Sequence, residues 1–273
     1  MKKFVSILLI VAMLPLALIS CKPEKEYSLI DAVAMRADIE LMLEELATFA
    51  PTPEGELFEA DAKALLAELE AKTDEELLQE YTTHRPKVND LQARFERLKV
   101  MDFVSFAENK TEYVLMEVQD YGFVVIQLYP SSAPNTVENF QHLVTRGFYN
   151  GLTFHRVIEN SLVQTGDPKG DGSGGSHQTI RGEFEENGVV NNLKHTRGTV
   201  SMFRGDDMNS ASSQFFICHK DSPEFNGKYA AFGRVIYGME VIDKIAEVEV
   251  NTRDKPLRDV IVTSIRFVEL DNK

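Results

Sequence analysis

The chain has 273 residues, 43% hydrophobic and 26% charged, which allows one large domain or two modest ones around a real core. Its formal net charge of −14 excludes duplex nucleic acid as a partner, because phosphate binding needs a basic surface, and an anionic membrane would repel it unless it were covalently attached. The six histidines and two cysteines, Cys21 and Cys218, lack the paired spacing of metal ligands, so no metal site is expected.

The first residues, Met1-Lys2-Lys3, precede an apolar run over residues 4–19, the pattern of a signal segment. The run is shorter than the roughly 20 residues of a spanning helix and contains Pro15. It ends in Leu18-Ile19-Ser20-Cys21, which resembles the bacterial lipoprotein box. That resemblance implies acylation of Cys21 as the mature N-terminus, with several acyl chains giving stable anchoring. An ordinary signal peptide with a coincidental cysteine is the alternative. Lys22 follows in place of an aspartate, which by analogy favours the outer membrane, facing the periplasm.

Residues 22–111 form an acidic arm with 11 Lys/Arg against 21 Asp/Glu. Ile39, Met42, Leu43, Leu46 and Phe49 fall at helical spacing, and Pro51-Thr52-Pro53-Glu54-Gly55 breaks the helix. A second run carries Phe58, Leu65, Leu66 and Leu69. Thr73 and Glu76 match a capping box, and Pro86 marks a further helix start, before Val88, Leu91, Phe95 and Leu98. The expectation is three or four helices with no strand. The arm reads either as a solvated spacer or as a module for substrate capture or dimerisation. Its size is marginal for an independent domain, so docking onto the rest of the chain is expected.

Residues 112–273 have a different texture. Tyr113-Val114-Leu115-Met116-Glu117-Val118 and the run over residues 122–129 are strand-like, with a turn at Asp120-Tyr121-Gly122. A helix should follow Pro134, burying Val137, Phe140, Leu143 and Val144 and closing at Gly147. Further short strands, a helix over residues 239–246 and a last strand over 260–268 complete the reading. The fold class is mainly β: a closed antiparallel barrel capped by two helices and preceded by the α-helical arm.

Ala133-Pro134-Asn135-Thr136-Val137-Glu138-Asn139-Phe140, Phe154-His155-Arg156-Val157-Ile158, Gln164-Thr165-Gly166-Asp167-Pro168, Gly172-Ser173-Gly174-Gly175, Gly198-Thr199-Val200-Ser201-Met202, Ser213-Gln214-Phe215-Phe216-Ile217 and Phe232-Gly233-Arg234-Val235 resemble, in order, the motifs of cyclophilins. The resemblance covers residues 112–270. It implies an eight-stranded barrel and cis/trans isomerisation of Xaa-Pro bonds in unfolded or flexible polypeptides, as in folding of envelope or secreted proteins. That reaction makes and breaks no covalent bond, so no cofactor, metal or nucleophile is expected, only a proline pocket and a donor that favours the twisted amide. By the same resemblance Arg156 points at the prolyl amide, Gln164 holds the substrate backbone and the arginine, and Phe216 floors the proline pocket. Leu162 and Phe225 form walls and Tyr229 sits at the rim. Gly172, Phe203 and Arg204 belong to the substrate groove, with His155 as a structural neighbour or, less simply, a base.

Other signals are set aside. The glycine run over residues 170–175 lacks the Lys-Ser/Thr ending and following helix of a phosphate loop. Cys218 reads as a small buried hydrophobe, Ser212 and Ser213 have no triad around them, and Phe215 points away from Phe216 by strand alternation. The sequence also departs from the family pattern. There is no tryptophan, and Glu224 stands where relatives that bind cyclosporin tightly carry one, so weak cyclosporin binding is expected. Ser161, Thr165 and Phe203 replace a common phenylalanine, glycine and alanine, which puts turnover and preference in doubt. A catalytically weak proline-peptide binding or scaffold protein is therefore the alternative function.

Overall fold

The computed structural model describes residues 27–49 and 51–271; Cys21 and the rest of the signal segment lie outside them. Four helices open the chain: α1 (Leu29–Leu46), α2 (Pro53–Glu70), α3 (Asp74–Gln79) and α4 (Tyr81–Phe103). Each of the first three starts on a side-chain cap. Ser28 and Asp31 form a reciprocal box, Thr52 accepts from the Gly55 N–H, and Thr73 and Glu76 form the box that the sequence announces. Their inward stripes, with Met35, Ile39, Phe58, Leu65, Leu69, Leu77, Val88 and Phe95, form one apolar core. Arg36 ties the arm together by donating to the Leu69 and Lys72 carbonyls and pairing with Asp74 at 2.9 Å.

Pro86 does not start a helix. It lies inside α4, five residues after the first. The helix begins earlier because Tyr81 is buried in the arm core and Glu80 fixes the first turn, its carbonyl accepting from His84 N–H at 3.1 Å and its carboxylate contacting His84 Nε2 at 2.9 Å. Those contacts outweigh the single intrahelical bond that Pro86 cannot make.

The remaining elements are β1 (Val104–Phe106), β2 (Tyr113–Val118), β3 (Gly122–Leu128), α5 (Pro134–Thr145), β4 (Arg156–Ile158), β5 (Leu162–Thr165), β6 (Thr199–Met202), β7 (Phe215–Cys218), β8 (Ala230–Tyr237), α6 (Met239–Ala246) and β9 (Val262–Leu270). They form one antiparallel sheet in the order β1-β9-β2-β3-β8-β6-β7-β5-β4. The expected closed eight-stranded barrel is therefore corrected: the sheet has nine strands, and its terminal strands β1 and β4 are not paired. The extra strand comes from the region read as purely helical. β1 pairs with the far end of β9 (Val104↔Leu270), while the segment before β4 reaches β9's near end through an isolated bridge, Thr153↔Ile261, and through backbone bonds from Phe154 N–H to the Val260 carbonyl, from Gly151 N–H to the Val262 carbonyl and from Val262 N–H to the Leu152 carbonyl, at 2.9, 2.7 and 2.8 Å.

One face of the sheet and the apolar faces of α5 and α6 share the main core, around Phe140, Tyr149, Phe154, Phe215, Phe232 and Ile242. The start of α5 has no side-chain cap of its own. The buried Glu183 carboxylate accepts instead from the Asn135 and Thr136 N–H groups at 3.1 and 2.8 Å, a favourable place for negative charge. The arm is docked rather than free. Val100 and Val104 pack with Leu115, Phe123, Val125 and Val268, and Phe103 stacks on Tyr237 with ring centroids 5.6 Å apart.

Candidate active site

The strand register assembles the site. Arg156 on β4 is paired with Gln164 on β5, Gln164 with Phe216 on β7, and Phe216 with Ser201 on β6. Residues directly opposite one another in an antiparallel ladder share a face. These four side chains therefore form one row across four strands, on the face opposite the main core. Two residues along each strand, Leu162 and Cys218 are also partners and extend the same face.

The polar end of the row is a hydrogen-bonded chain. Arg156 Nη1 lies 3.4 Å from Gln164 Oε1, and its Nε lies 3.7 Å from Asp254 Oδ2. Gln164 is buried and donates through Nε2 to Gln214 Oε1 at 2.8 Å. Gln214 in turn donates to the Gly172 and Gly174 carbonyls at 3.0 and 2.6 Å. His155 is buried and its Nε2 lies 3.1 Å from the same Gln214 oxygen. Because that oxygen accepts from Gln164, His155 meets it as an N–H donor. Burial holds the imidazole below its ordinary range, with nearby Asp167 and the Gln214 contact acting in the opposite direction.

The glycine run wraps a carboxylate of this chain rather than a bound phosphate. Asp167 accepts from the Lys169, Asp171 and Gly172 N–H groups at 2.8, 3.1 and 2.6 Å. Burial alone would raise its pKa; the backbone donors more than offset this and leave it lowered. A Cβ on Gly174 would stand 1.9 Å from Asp167 Oδ1, so no larger residue fits without moving the loop.

The apolar end is an aromatic cluster. Phe216 is buried and meets Phe225 and Tyr229 edge-on at 5.3 and 5.6 Å, and Phe225 meets Tyr229 at 5.4 Å. Leu162 and Cys218 complete the buried part, with Phe203 packed against it. Phe225, on the 3-10 turn Pro223–Phe225, Tyr229 and Phe203 stay half-exposed, and so face both the cluster and solvent. Arg204 lies over Tyr229 at 5.2 Å and over Phe184 at 5.3 Å, and donates to the Lys228 carbonyl. Burial, ahead of nearby Glu224 and Asp221, pushes the Cys218 thiol up to about 12, which removes it as a nucleophile.

Two residues that the sequence reading left without a role belong here. Gln214 joins the arginine, the buried glutamine and the glycine loop. The signal for it was strand alternation, since it lies two residues before Phe216. His195 is buried behind the aromatic cluster. It stacks on Phe216 at 6.1 Å, its Nε2 lies 2.8 Å from Ser201 Oγ, and its Nδ1 lies 3.1 Å from Asn226 Oδ1. No local pattern marks it, because its partners come from β6 and from the loop after β7. Among the described residues there is no cluster of three or more potential metal ligands.

Comparison with known proteins agrees with this geometry. The family model for cyclophilin type peptidyl-prolyl cis-trans isomerases matches residues 113–267. Peptidyl-prolyl cis-trans isomerase-like 1 of Emericella nidulans is 42% identical over 148 residues, 54% of this chain and 90% of that protein. The mouse peptidylprolyl isomerase domain and WD repeat-containing protein 1 is 42% identical over 145 residues, 53% of this chain and 22% of that protein. The crystal structure of a Cryptosporidium parvum cyclophilin type peptidyl-prolyl cis-trans isomerase, obtained in the presence of the dipeptide Ala-Pro, is similar with a TM-score of 0.53 and 29% identity, covering 59% of this chain and 99% of that one. The chain belongs to the cyclophilin-type peptidyl-prolyl cis-trans isomerase family.

Proposed function

We propose that this protein is a peptidyl-prolyl cis-trans isomerase, anchored through acylated Cys21 to a bacterial outer membrane on its periplasmic side, that assists folding of envelope or secreted polypeptides. The observation that carries the catalytic reading is the row Arg156–Gln164–Phe216: a cation, a buried amide and an aromatic floor in register on three adjacent strands.

The uncatalysed rotation is slow because amide resonance must be broken, a barrier of about 18–20 kcal/mol. Twisting the bond localises a lone pair on the prolyl nitrogen. A guanidinium has five N–H donors and, among the described residues, two contacts hold this one, to Gln164 and Asp254. Donors therefore remain to stabilise that lone pair, and each 1.36 kcal/mol gained in the twisted state is about tenfold in rate. The charge is permanent, so no proton inventory limits the step. Phe216, Leu162, Phe225 and Tyr229 receive the apolar ring, while Gln164 and the Gln214 chain hold the arginine in place. His155 acts as a brace in this scheme and not as a base.

The arm sets the sheet domain away from its anchor. α4 has 23 residues, about 34 Å of helix, and runs from Tyr81 in the arm core to Phe103 against Tyr237. A second reading, a proline-peptide binding or scaffold protein acting through the arm, is favoured by one feature. A cleft of about 1020 Å³ separates the arm from the β2–β3 turn, lined by Leu41, Met42, Phe95, Arg97, Tyr121 and Lys244 among others. An NMR exchange or protease-coupled assay on a short Xaa-Pro peptide separates the two readings. The enzyme accelerates exchange and its Arg156→Ala variant does not; a folded wild-type chain without acceleration would leave the scaffold.

A further inference from the structure

Eleven large hydrophobic side chains are exposed among the described residues, and three of them, Tyr27, Leu29 and Ile30, lie within four consecutive positions at the start of α1. Ile30 is 81% exposed. The inner stripe of the same helix, Ala32, Met35, Ile39 and Met42, is already buried in the arm core, so these three form a separate outward surface. Tyr27 is held against Tyr81, ring centroids 4.2 Å apart, which fixes the patch to the arm. Scattered exposed hydrophobics need no explanation, but a contiguous group of them does.

The position of the patch identifies what covers it. Cys21 lies six residues before Tyr27, a span of at most about 21 Å when fully extended. A chain acylated at Cys21 thus has the patch within that distance of the lipid. We infer that Tyr27, Leu29 and Ile30 form a second membrane contact, in which this end of α1 rests in the interfacial layer beside the acyl anchor. The inference rests on the lipidation reading above. The residue types suit the location: Tyr has an apolar ring and a polar tip for the headgroup level, and Leu and Ile supply the apolar area by which helices lie in an interface. A second copy of the chain is a poorer occupant. Three side chains fall far short of the 20–30 residues a side of a standard protein interface.

This contact would give the protein an orientation as well as a tether. Arg36 bonded to Leu69 shows that α1 and α2 run antiparallel, so Leu57, 62% exposed at the start of α2, lies at the other end of the hairpin. α1 has 18 residues, about 27 Å of helix, and Leu57 lies one turn into α2, so the separation along the hairpin is about 20 Å. Ile30 would be in the interface while Leu57 and the sheet domain are in water.

The absence of tryptophan makes the test direct. Full-length chains carrying Ile30→Trp, Leu57→Trp or Leu257→Trp each have one tryptophan at an exposed hydrophobic position. They are purified from membranes and reconstituted into phosphatidylethanolamine/phosphatidylglycerol vesicles containing lipids brominated near the headgroup. Expected is emission from Ile30→Trp that is blue-shifted and quenched at least twofold more than from the other two. Equal quenching at all three positions in protein whose N-terminal peptide carries acyl chains on Cys21 by mass spectrometry would overturn the contact and leave the anchor standing. Selective quenching at position 30 with an unmodified Cys21 would do the reverse. Absence of the protein from the vesicles would overturn both.

Discussion

Arg156 and Gln164 are register partners across β4 and β5, with Nη1 and Oε1 3.4 Å apart, and the far side of Gln164 is fixed by a 2.8 Å bond to Gln214. The arginine is thus aimed by a buried amide rather than by a carboxylate in direct contact; its ion pair with Asp254 is longer, at 3.7 Å, and both side chains are well exposed. Arg156→Ala should lower kcat/KM by about 10²–10³, the usual loss on deleting one preorganised donor. Arg156→Lys should recover little, since an ammonium lacks the planar fork. Line-shape or exchange NMR on an Ala-Pro peptide measures both.

Gln214 has four partners at once: Gln164, His155 and the Gly172 and Gly174 carbonyls. Gln214→Leu removes the hub and leaves buried polar groups unpaired, at about 1–3 kcal/mol for each group left unsatisfied. The expected result is a lower Tm and reduced kcat with Phe216 still in place. Because Gln214 touches Arg156 only through Gln164, it is a positioning residue. Peptide KM should change less than kcat, which separates it from a simple loss of fold.

Arg156, Gln164, Leu162 and Phe216 were picked out by their resemblance to cyclophilin motifs, and the register of β4, β5 and β7 brings these four to one face. The hydrophobic helix starts after Pro134 and at Met239 were equally plain. Docking of the arm was expected from its size, but the sheet face that receives it was not read, although its trace is present. Tyr113-Val114-Leu115-Met116 and Phe123-Val124-Val125-Ile126 are continuous apolar runs, where an antiparallel strand with one wet face alternates. Val114, Met116, Val124 and Ile126 face the main core, and Leu115, Phe123 and Val125 face α4. β1 was missed because three residues carry no period, and Pro86 misled because a cap at Thr73 and burial of Tyr81 settle where the helices begin.

That double burial yields a third prediction. A chain beginning after Phe103 would expose Leu115, Phe123 and Val125 to water. It should aggregate or melt at clearly lower temperature than the chain from Lys22 onward, and Leu115→Thr with Val125→Thr should restore solubility to the shortened chain. Light scattering during a thermal ramp reads both effects. A shortened chain as soluble and stable as the longer one would show that α4 is only a spacer.

Glu224 stands exposed on the 3-10 turn beside Phe225, where no indole is available to cover an apolar cyclic peptide. Cyclosporin should bind weakly by calorimetry, and Glu224→Trp should tighten binding by about tenfold or more, since one large aromatic contact is worth upwards of 1.4 kcal/mol at a packed interface. Tight stoichiometric binding by the wild-type chain would contradict this.

The two buried histidines of the site predict an acid-side loss of stability. Burial lowers the pKa of both His155 and His195, against opposing contacts with Asp167 and Gln214 for the first and Asn226 for the second. In the unfolded chain each titrates near 6.5. Below that value the unfolded state takes up protons that the folded state resists, so their contribution is complete above pH 6.5 and is lost as pH falls toward the lowered folded values. The depressed carboxylates act in a separate window. Asp243, lowered chiefly by its hydrogen bond from Arg197, and Glu80, lowered chiefly by Lys72, stabilise the fold above their ordinary range and fail only as pH drops through and below about 4. Tm should therefore fall between pH 7 and 5, before acid unfolding. His195→Gln, which keeps a polar partner for Ser201 but cannot be protonated, should flatten that part of the curve. An unchanged slope in this variant and in His155→Gln would show that the imidazoles do not govern it.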